Sequence, residues 1–179
     1  MKVIETGISG LILVLPRIHP DSRGSFYESF SQKVFSEKVA DVTFVQDNQS
    51  LSHYGVIRGL HFQNEPYAQS KLVRVISGKV LDVVVDLRKG SSSFGKVFSV
   101  ELSGENHLQL FIPKGCAHGF SVLSSEAIFQ YKCDEYYTPS SEGAIIWNDP
   151  DLNIDWGLPL EDIIVSERDA QNPRFRDLF

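Results

Sequence analysis

Residues 71–87 read KLVRVISGKVLDVVVDL, and this run decides the fold class. β-branched residues crowd it, and Ser77-Gly78 interrupts it with a tight-turn signal. It divides into two strands, Lys71 to Ile76 and Lys79 to Leu87, expected to meet as a hairpin. Strand side chains alternate between faces. Leu81, Val83, Val85 and Leu87 therefore share one dry face, and Val80, Asp82, Val84 and Asp86 share a mixed one.

Working outward, the same kind of short run recurs, each closed by Gly, Ser, Asn or Pro. The runs are Val42 to Gln46, Lys96 to Leu102, Leu108 to Ile112, Phe120 to Leu123, Ala127 to Lys132 and Ala144 to Trp147. Helical signals are few. Ser31 to Val39 has Val34, Phe35 and Lys38 at helical spacing, and a short helix is expected near Pro159. Many short strands with few helices predict a mainly β barrel or sandwich rather than a parallel α/β sheet. No repeat, linker or low-complexity tract divides the chain, so residues 1–179 read as a single domain.

The 179 residues are 42% hydrophobic and 22% charged, ordinary for a globular chain. The net charge of −6 supplies no basic field for nucleic acid, so an anionic small ligand needs local cations. The 2 cysteines, Cys116 and Cys133, make no disulfide framework and read as buried thiols. The start MKVIETGISG lacks the apolar region of a signal peptide, and GLILVLP (residues 10–16) is too short to cross a bilayer. The expectation is a cytoplasmic protein without a membrane partner.

Polar residues gather in a few stretches. One is Pro113-Lys114-Gly115-Cys116-Ala117-His118, which matches P-x-G-x-x-H, a motif of cupin barrels. Metal-binding cupins add an earlier H-x-H and a glutamate seven residues before a glycine. Here the glycine position is Gly78, the residue in the glutamate position is Lys71, and the H-x-H reads His61-Phe62-Gln63. A lysine ammonium has no lone pair for a metal and repels a dication. No catalytic metal is expected.

The stretches RGLHFQ, KLVRVISGKVLDVVVDLRKGSSSFG, IPKGCAHGF, YYTPSSEG and SERDAQNP, in this order, resemble the dTDP-4-dehydrorhamnose 3,5-epimerase family. The resemblance runs from about residue 3 to residue 173. It implies a cupin-type jelly-roll barrel with a few short helices, no cofactor, and a nucleotide-sugar substrate epimerised at C3 and C5 on the way to rhamnose. It also implies a homodimer that exchanges N-terminal strands, so some site residues come from the partner. By position, His61 matches the catalytic base, Asp169 its paired carboxylate, Tyr131 the proton donor, and Lys71 the cation beside the keto oxygen. Arg23, Phe26, Glu28, Gln46, Asn48, Arg58, His118 and Glu142 match the lining of the nucleotide-sugar site. Tyr137 matches an aromatic that stacks on the base. Arg168 stands where some members carry lysine, and what carries over is a cation for phosphate.

The chemistry requires these residue types. A 4-keto group acidifies the C–H bonds at C3 and C5, and proton removal puts charge on the keto oxygen. Histidine suits a base at neutral pH, its ordinary pKa being about 6.5. A paired carboxylate fixes its tautomer. A fixed cation stabilises the enolate. Inversion then needs a proton from the opposite face, a task for Tyr131.

Competing readings remain at this point. A single-centre epimerase would keep the same histidine–carboxylate pair. A metal-dependent cupin oxygenase is opposed by Lys71, and a non-catalytic sugar-binding cupin would not need His61, Lys71, Tyr131 and Asp169 together. His118 reads equally as a group holding His61 or a phosphate in place. Tyr136, Trp147 and Trp156 read as packing residues, and Arg88-Lys89 as a solvated turn.

Overall fold

The computed structural model describes residues 1–179. Along the chain, β1 (Lys2–Glu5) and β2 (Ile12–Leu15) precede a small exposed hairpin, β3 (His19–Asp21) and β4 (Gly24–Phe26). Helix α1 (Gln32–Lys38) follows, within the expected helical run. Then come β5 (Gln46–His53), β6 (Ile57–Gln63), β7 (Lys71–Ser77), β8 (Lys79–Asp86) and β9 (Val97–Ser103). The series closes with β10 (Gln109–Ile112), β11 (Cys116–Val122), β12 (Glu126–Cys133) and β13 (Glu142–Ala144). A 3-10 turn at Leu160–Asp162 stands where the short helix near Pro159 was expected, and helix α2 (Phe175–Leu178) ends the chain.

The strands form two antiparallel sheets. One has six strands in the order β1-β2-β10-β7-β12-β5, the other five in the order β13-β6-β11-β8-β9. The largest apolar cluster draws Val73, Val75, Leu110 and Phe129 from the first sheet and Val80, Val84, Leu102 and Phe120 from the second. It therefore lies between them, and the fold is the mainly β jelly roll expected of a cupin barrel. A second cluster, including Val83, Val85, Leu87 and Trp156, seals the outer face of the five-stranded sheet under the C-terminal segment. A third, around Phe35, Leu72 and Phe111, seats α1 on the outer face of the six-stranded sheet. The two faces read from β8 are thus both buried, the dry one outward and the mixed one into the barrel.

Several local expectations are corrected. The segment at Ser77-Gly78 is not a paired hairpin, because β7 and β8 lie in different sheets. Val73 and Val75 must face Val80 and Val84 across the core, so the chain turns over at the corner instead of doubling back in plane. Gly78 permits this with φ +82°, and a Cβ there would sit 2.1 Å from the Glu126 carbonyl oxygen. Residues 42–46 are not a strand apart from Gln46, since Val42 and Phe44 pack against the Phe35 cluster under α1. The strand follows instead in the polar run QDNQSLSH, held by an eight-pair ladder to β12. The run Ala144 to Trp147 is a strand only at its start, although Ile145 still exchanges backbone hydrogen bonds with Leu60. Arg88 is not a solvated turn: its guanidinium grips Asp86 and reaches the Ser9 carbonyl. Tyr136 is 62% exposed and packs no core, whereas Trp156 is buried with its indole N–H donating to the Trp147 carbonyl.

Candidate active site

Inside the barrel, the polar residues gather at one end. β5 turns Asn48, Ser50 and Ser52 inward, leaving Asp47, Gln49, Leu51 and His53 exposed. A cleft of about 510 Å3 opens there, lined by Arg58, His61, Lys71, His118, Phe129, Tyr131 and Asp169 among others. A second lobe of about 350 Å3 is lined by Gln46, Gln63, Cys133, Tyr137 and Glu142. Asn48, His61, Lys71 and Tyr131 line both lobes and so form the waist between them.

His61 projects from β6 of the five-stranded sheet, 33% exposed to the cleft. Its Nε2 lies 2.7 Å from Asp169 Oδ1. Asp169 is almost fully buried behind it, at the start of a 3-10 turn (Asp169–Gln171) whose first N–H donates to Ser166 Oγ. Burial raises the Asp169 pKa, but the hydrogen bond and charge of His61, the Gly59 backbone and Asn172 outweigh it and leave it below its usual value. The carboxylate is therefore ionised at neutral pH and accepts only, so Nε2 carries the proton and Nδ1 keeps the free lone pair. Gly59 lets β6 approach β11 this closely: a Cβ there would sit 2.6 Å from the His118 carbonyl oxygen and from Gly119 Cα.

Tyr131 and Lys71 stand on the other wall. They belong to the neighbouring strands β12 and β7 of the six-stranded sheet, with Lys71 Nζ 6.0 Å from the Tyr131 ring centroid. Burial pushes the Tyr131 phenol up, chiefly by desolvation, so at neutral pH it is a proton donor. Burial pushes the Lys71 ammonium down, against the pull of Cys133, Asp82 and Glu142. A flat ring held at the waist thus meets an imidazole from one sheet and a phenol and an ammonium from the other.

The remaining expected residues divide. His118 lines the first lobe and is fixed by Asp82, with Nε2 to Oδ2 at 2.9 Å. Arg58 lines it too, donating from Nε to Ser52 Oγ at 2.9 Å. In the second lobe, Gln46 accepts the Tyr137 N–H, and the Tyr137 hydroxyl donates to Glu142 at 2.8 Å. Burial raises the Glu142 pKa, but Arg168 and Tyr137 hold it below its ordinary value. Arg168 lies outside both lobes, paired with Glu142 at the rim. Arg23, Phe26 and Glu28 line neither lobe: they sit on or just after the β3–β4 hairpin, Phe26 73% exposed and Arg23 tied to Asp21.

Asp82 joins the site through His118, and its place among valines on the mixed face of β8 is the sequence signal for it. Ser52 gives no sequence signal of its own, while Gln63 and Ser166 lie in the stretches RGLHFQ and SERDAQNP without a role assigned to them. The thiol of Cys133 faces the second lobe and is pushed up to about 11 by burial, so it stays protonated. No three His, Cys, Asp or Glu side chains converge closely enough to hold a metal ion. No helix is long and apolar enough to cross a membrane.

Residues 5–177 match the family model described as dTDP-4-dehydrorhamnose 3,5-epimerase. The dTDP-4-dehydrorhamnose 3,5-epimerase of Shigella flexneri is 51% identical over 178 residues, covering 99% of this chain and 97% of that protein. The crystal structure of the Elizabethkingia anophelis enzyme of the same name superposes with a TM-score of 0.95 at 48% identity, covering 99% of this chain and 98% of the other. The Legionella pneumophila dTDP-6-deoxy-D-glucose-3,5-epimerase, solved in complex with dTDP-4-keto-L-rhamnose, matches with a TM-score of 0.95 and 48% identity over 99% of this chain and 94% of its own.

Proposed function

The chain belongs to the dTDP-4-dehydrorhamnose 3,5-epimerase family, and we propose from that premise that it converts dTDP-4-dehydro-6-deoxy-D-glucose to dTDP-4-dehydro-L-rhamnose in rhamnose biosynthesis. One observation carries the reading: a carboxylate-fixed imidazole on one sheet faces a phenol and an ammonium on the other.

The steps follow from that geometry. His61 Nδ1 takes the proton from C3 or C5, and the electron pair of the C–H bond moves into the enolate. Asp169 stabilises the imidazolium that forms. The Lys71 ammonium stabilises the charge on the C4 oxygen. Tyr131 delivers its hydroxyl proton to the other face of the carbon, the configuration inverts, and proton exchange with water resets both groups. Both acidic C–H bonds flank one carbonyl, so one base and one acid serve them in turn. Every step moves a proton and none changes an oxidation state, so the reaction calls for no redox cofactor.

Tyr137, Gln46 and Glu142 belong on this account to the nucleotide end, with Tyr137 stacking on the base, Arg168 as a cation for the diphosphate and Arg58 lining the first lobe. Arg23, Phe26 and Glu28 reach the site in a homodimer with exchanged N-terminal strands, each hairpin serving the partner's cleft. The exposure of that hairpin supports this, since a 73% exposed Phe26 has apolar surface left to cover. The protein works in the cytoplasm, and its free, buried cysteines suit a reducing compartment.

The test is incubation with dTDP-4-keto-6-deoxyglucose and NMR of the product ring couplings. Both centres should invert. Inversion at one alone assigns a single-centre epimerase, and an unchanged sugar removes the proposal.

A further inference from the structure

Inside the barrel, one buried carboxylate oxygen and one ammonium are left without a hydrogen bond. Asp82, on β8, is fully buried, and while Oδ2 takes the His118 Nε2–H, Oδ1 has no hydrogen-bond partner. A buried carboxylate left half-satisfied is costly unless a positive charge offsets it. Lys71, on β7 in the opposite sheet, has carboxylates acting on it only through space, with no hydrogen bond to any of them. Strand alternation turns both into the interior: Asp82 shares its face with the core residues Val80 and Val84, and Lys71 shares its face with Val73 and Val75.

We infer that Asp82 is the counter-charge of Lys71, a positioning residue that keeps the ammonium protonated so that it can stabilise the enolate. The task given to Lys71 rests on the epimerase reading; the charge pairing rests on the geometry. Burial works against the charged form of Lys71, and Asp82 works for it. Burial raises the Asp82 pKa, and His118 and then Lys71 pull the other way without cancelling it. The same carboxylate, through Oδ2, fixes the His118 ring in the wall of the cleft. One buried acid thus serves two groups around the reacting sugar.

Other groups that face Lys71 also bear on its charge. His118 on β11 and His61 and Arg58 on β6 line the same cleft. Tyr131 and Cys133 lie on β12, Glu142 on β13, and Asp169 behind His61. Cys133 is protonated at neutral pH, Glu142 is engaged by Arg168 and Tyr137, and Asp169 by His61. Asp82 is the carboxylate in this set with a buried oxygen that has no hydrogen-bond partner.

The experiment is the pH titration of Lys71 in protein carrying labelled lysine, read by NMR and assigned with Lys71→Met. In Asp82→Asn the Lys71 pKa should fall by about one unit or more, the usual effect of an adjacent opposite charge. The alkaline limb of kcat/KM should move to lower pH by the same amount, because activity that needs the ammonium is lost as pH rises through its pKa. An unmoved Lys71 pKa, or a rate loss equal at every pH, overturns the inference and leaves Asp82 a structural residue. If Asp82→Asn does not fold, the reciprocal measurement decides: in Lys71→Met the Asp82 carboxyl, followed with labelled aspartate, should titrate higher by a matching amount. An unmoved Asp82 overturns the pairing equally. Absence of turnover in the wild type overturns the epimerase reading alone, since both NMR titrations proceed without substrate.

Discussion

Replacing Asp169 with asparagine isolates what the carboxylate does for the base. The side chain keeps its shape and its place, 5% exposed behind His61. Two losses add. The 2.7 Å bond from His61 Nε2–H to a charged acceptor becomes a bond to a neutral amide, forfeiting part of the roughly 1.5–3 kcal/mol that a charge-assisted hydrogen bond contributes. The amide can also present its NH2 to Nε2, which moves the ring proton to Nδ1 and removes the lone pair that takes the substrate proton; the same change in a serine-protease triad costs about 10⁴-fold. Burial keeps water from restoring either loss. Together they set an expected fall in kcat of about 10³-fold, or roughly 4 kcal/mol of transition-state stabilisation. KM should change little, because Asp169 stands behind the imidazole rather than against the sugar. The assay is the rate of deuterium uptake at C3 and C5 in heavy water, which reports deprotonation whether or not inversion follows. Uptake within threefold of wild type, in a folded variant, would refute the assignment of Asp169 as the partner that makes His61 a base.

Tyr131→Phe should stay folded, keep washing deuterium into the sugar and lose inversion, most of all at C5; NMR of label and configuration checks it, and wild-type inversion would leave Tyr131 a core residue. Turnover should survive exhaustive chelation, because Lys71 occupies the position a metal-binding cupin gives to a carboxylate; activity lost on chelation and restored by a divalent metal would contradict this. Asp86 is fully buried and accepts from Arg88, Ser91 and Ser93. Burial opposes its charge, but these hydrogen bonds win and hold its pKa far below the usual range. Its contribution is therefore present above the unfolded pKa of about 4 and is lost as pH falls from there toward the folded pKa. Asp86→Ala should cost about 3 kcal/mol at pH 7, the low end for a broken buried pair because Arg88 can turn to water. Denaturant unfolding at pH 7 and pH 3 should show the gap to wild type narrowing in acid.

The barrel was legible where apolar residues alternate. β8 declares both faces, and the expected runs at β9, β10 and β12 lie within two residues of the observed strands. β5 was not legible, because QDNQSLSH carries almost no strand propensity and is held by pairing to β12 along its whole length. The corner at Gly78 mimics a hairpin in sequence, and only the need to bury Val73 against Val80 from opposite sides distinguishes them. His61 and Asp169 stand 108 residues apart, and no spacing rule joins them; the resemblance did. Asp82 was visible as a charge among valines, but its function depends on groups from β7 and β11 that meet only in the folded barrel. Arg23, Phe26 and Glu28 lie on or just after the β3–β4 hairpin, away from the cleft of their own chain, and only the proposed exchange between two copies brings them to a site.

The most direct measurement is the fate of the hydrogens at C3 and C5 when the wild-type protein turns over dTDP-4-keto-6-deoxyglucose in heavy water. Enolate chemistry at one keto group predicts an inverted product carrying one deuterium at C3 and one at C5. Inverted centres that retain the substrate's own hydrogens would contradict exchange through His61 and Tyr131 and require a different reaction.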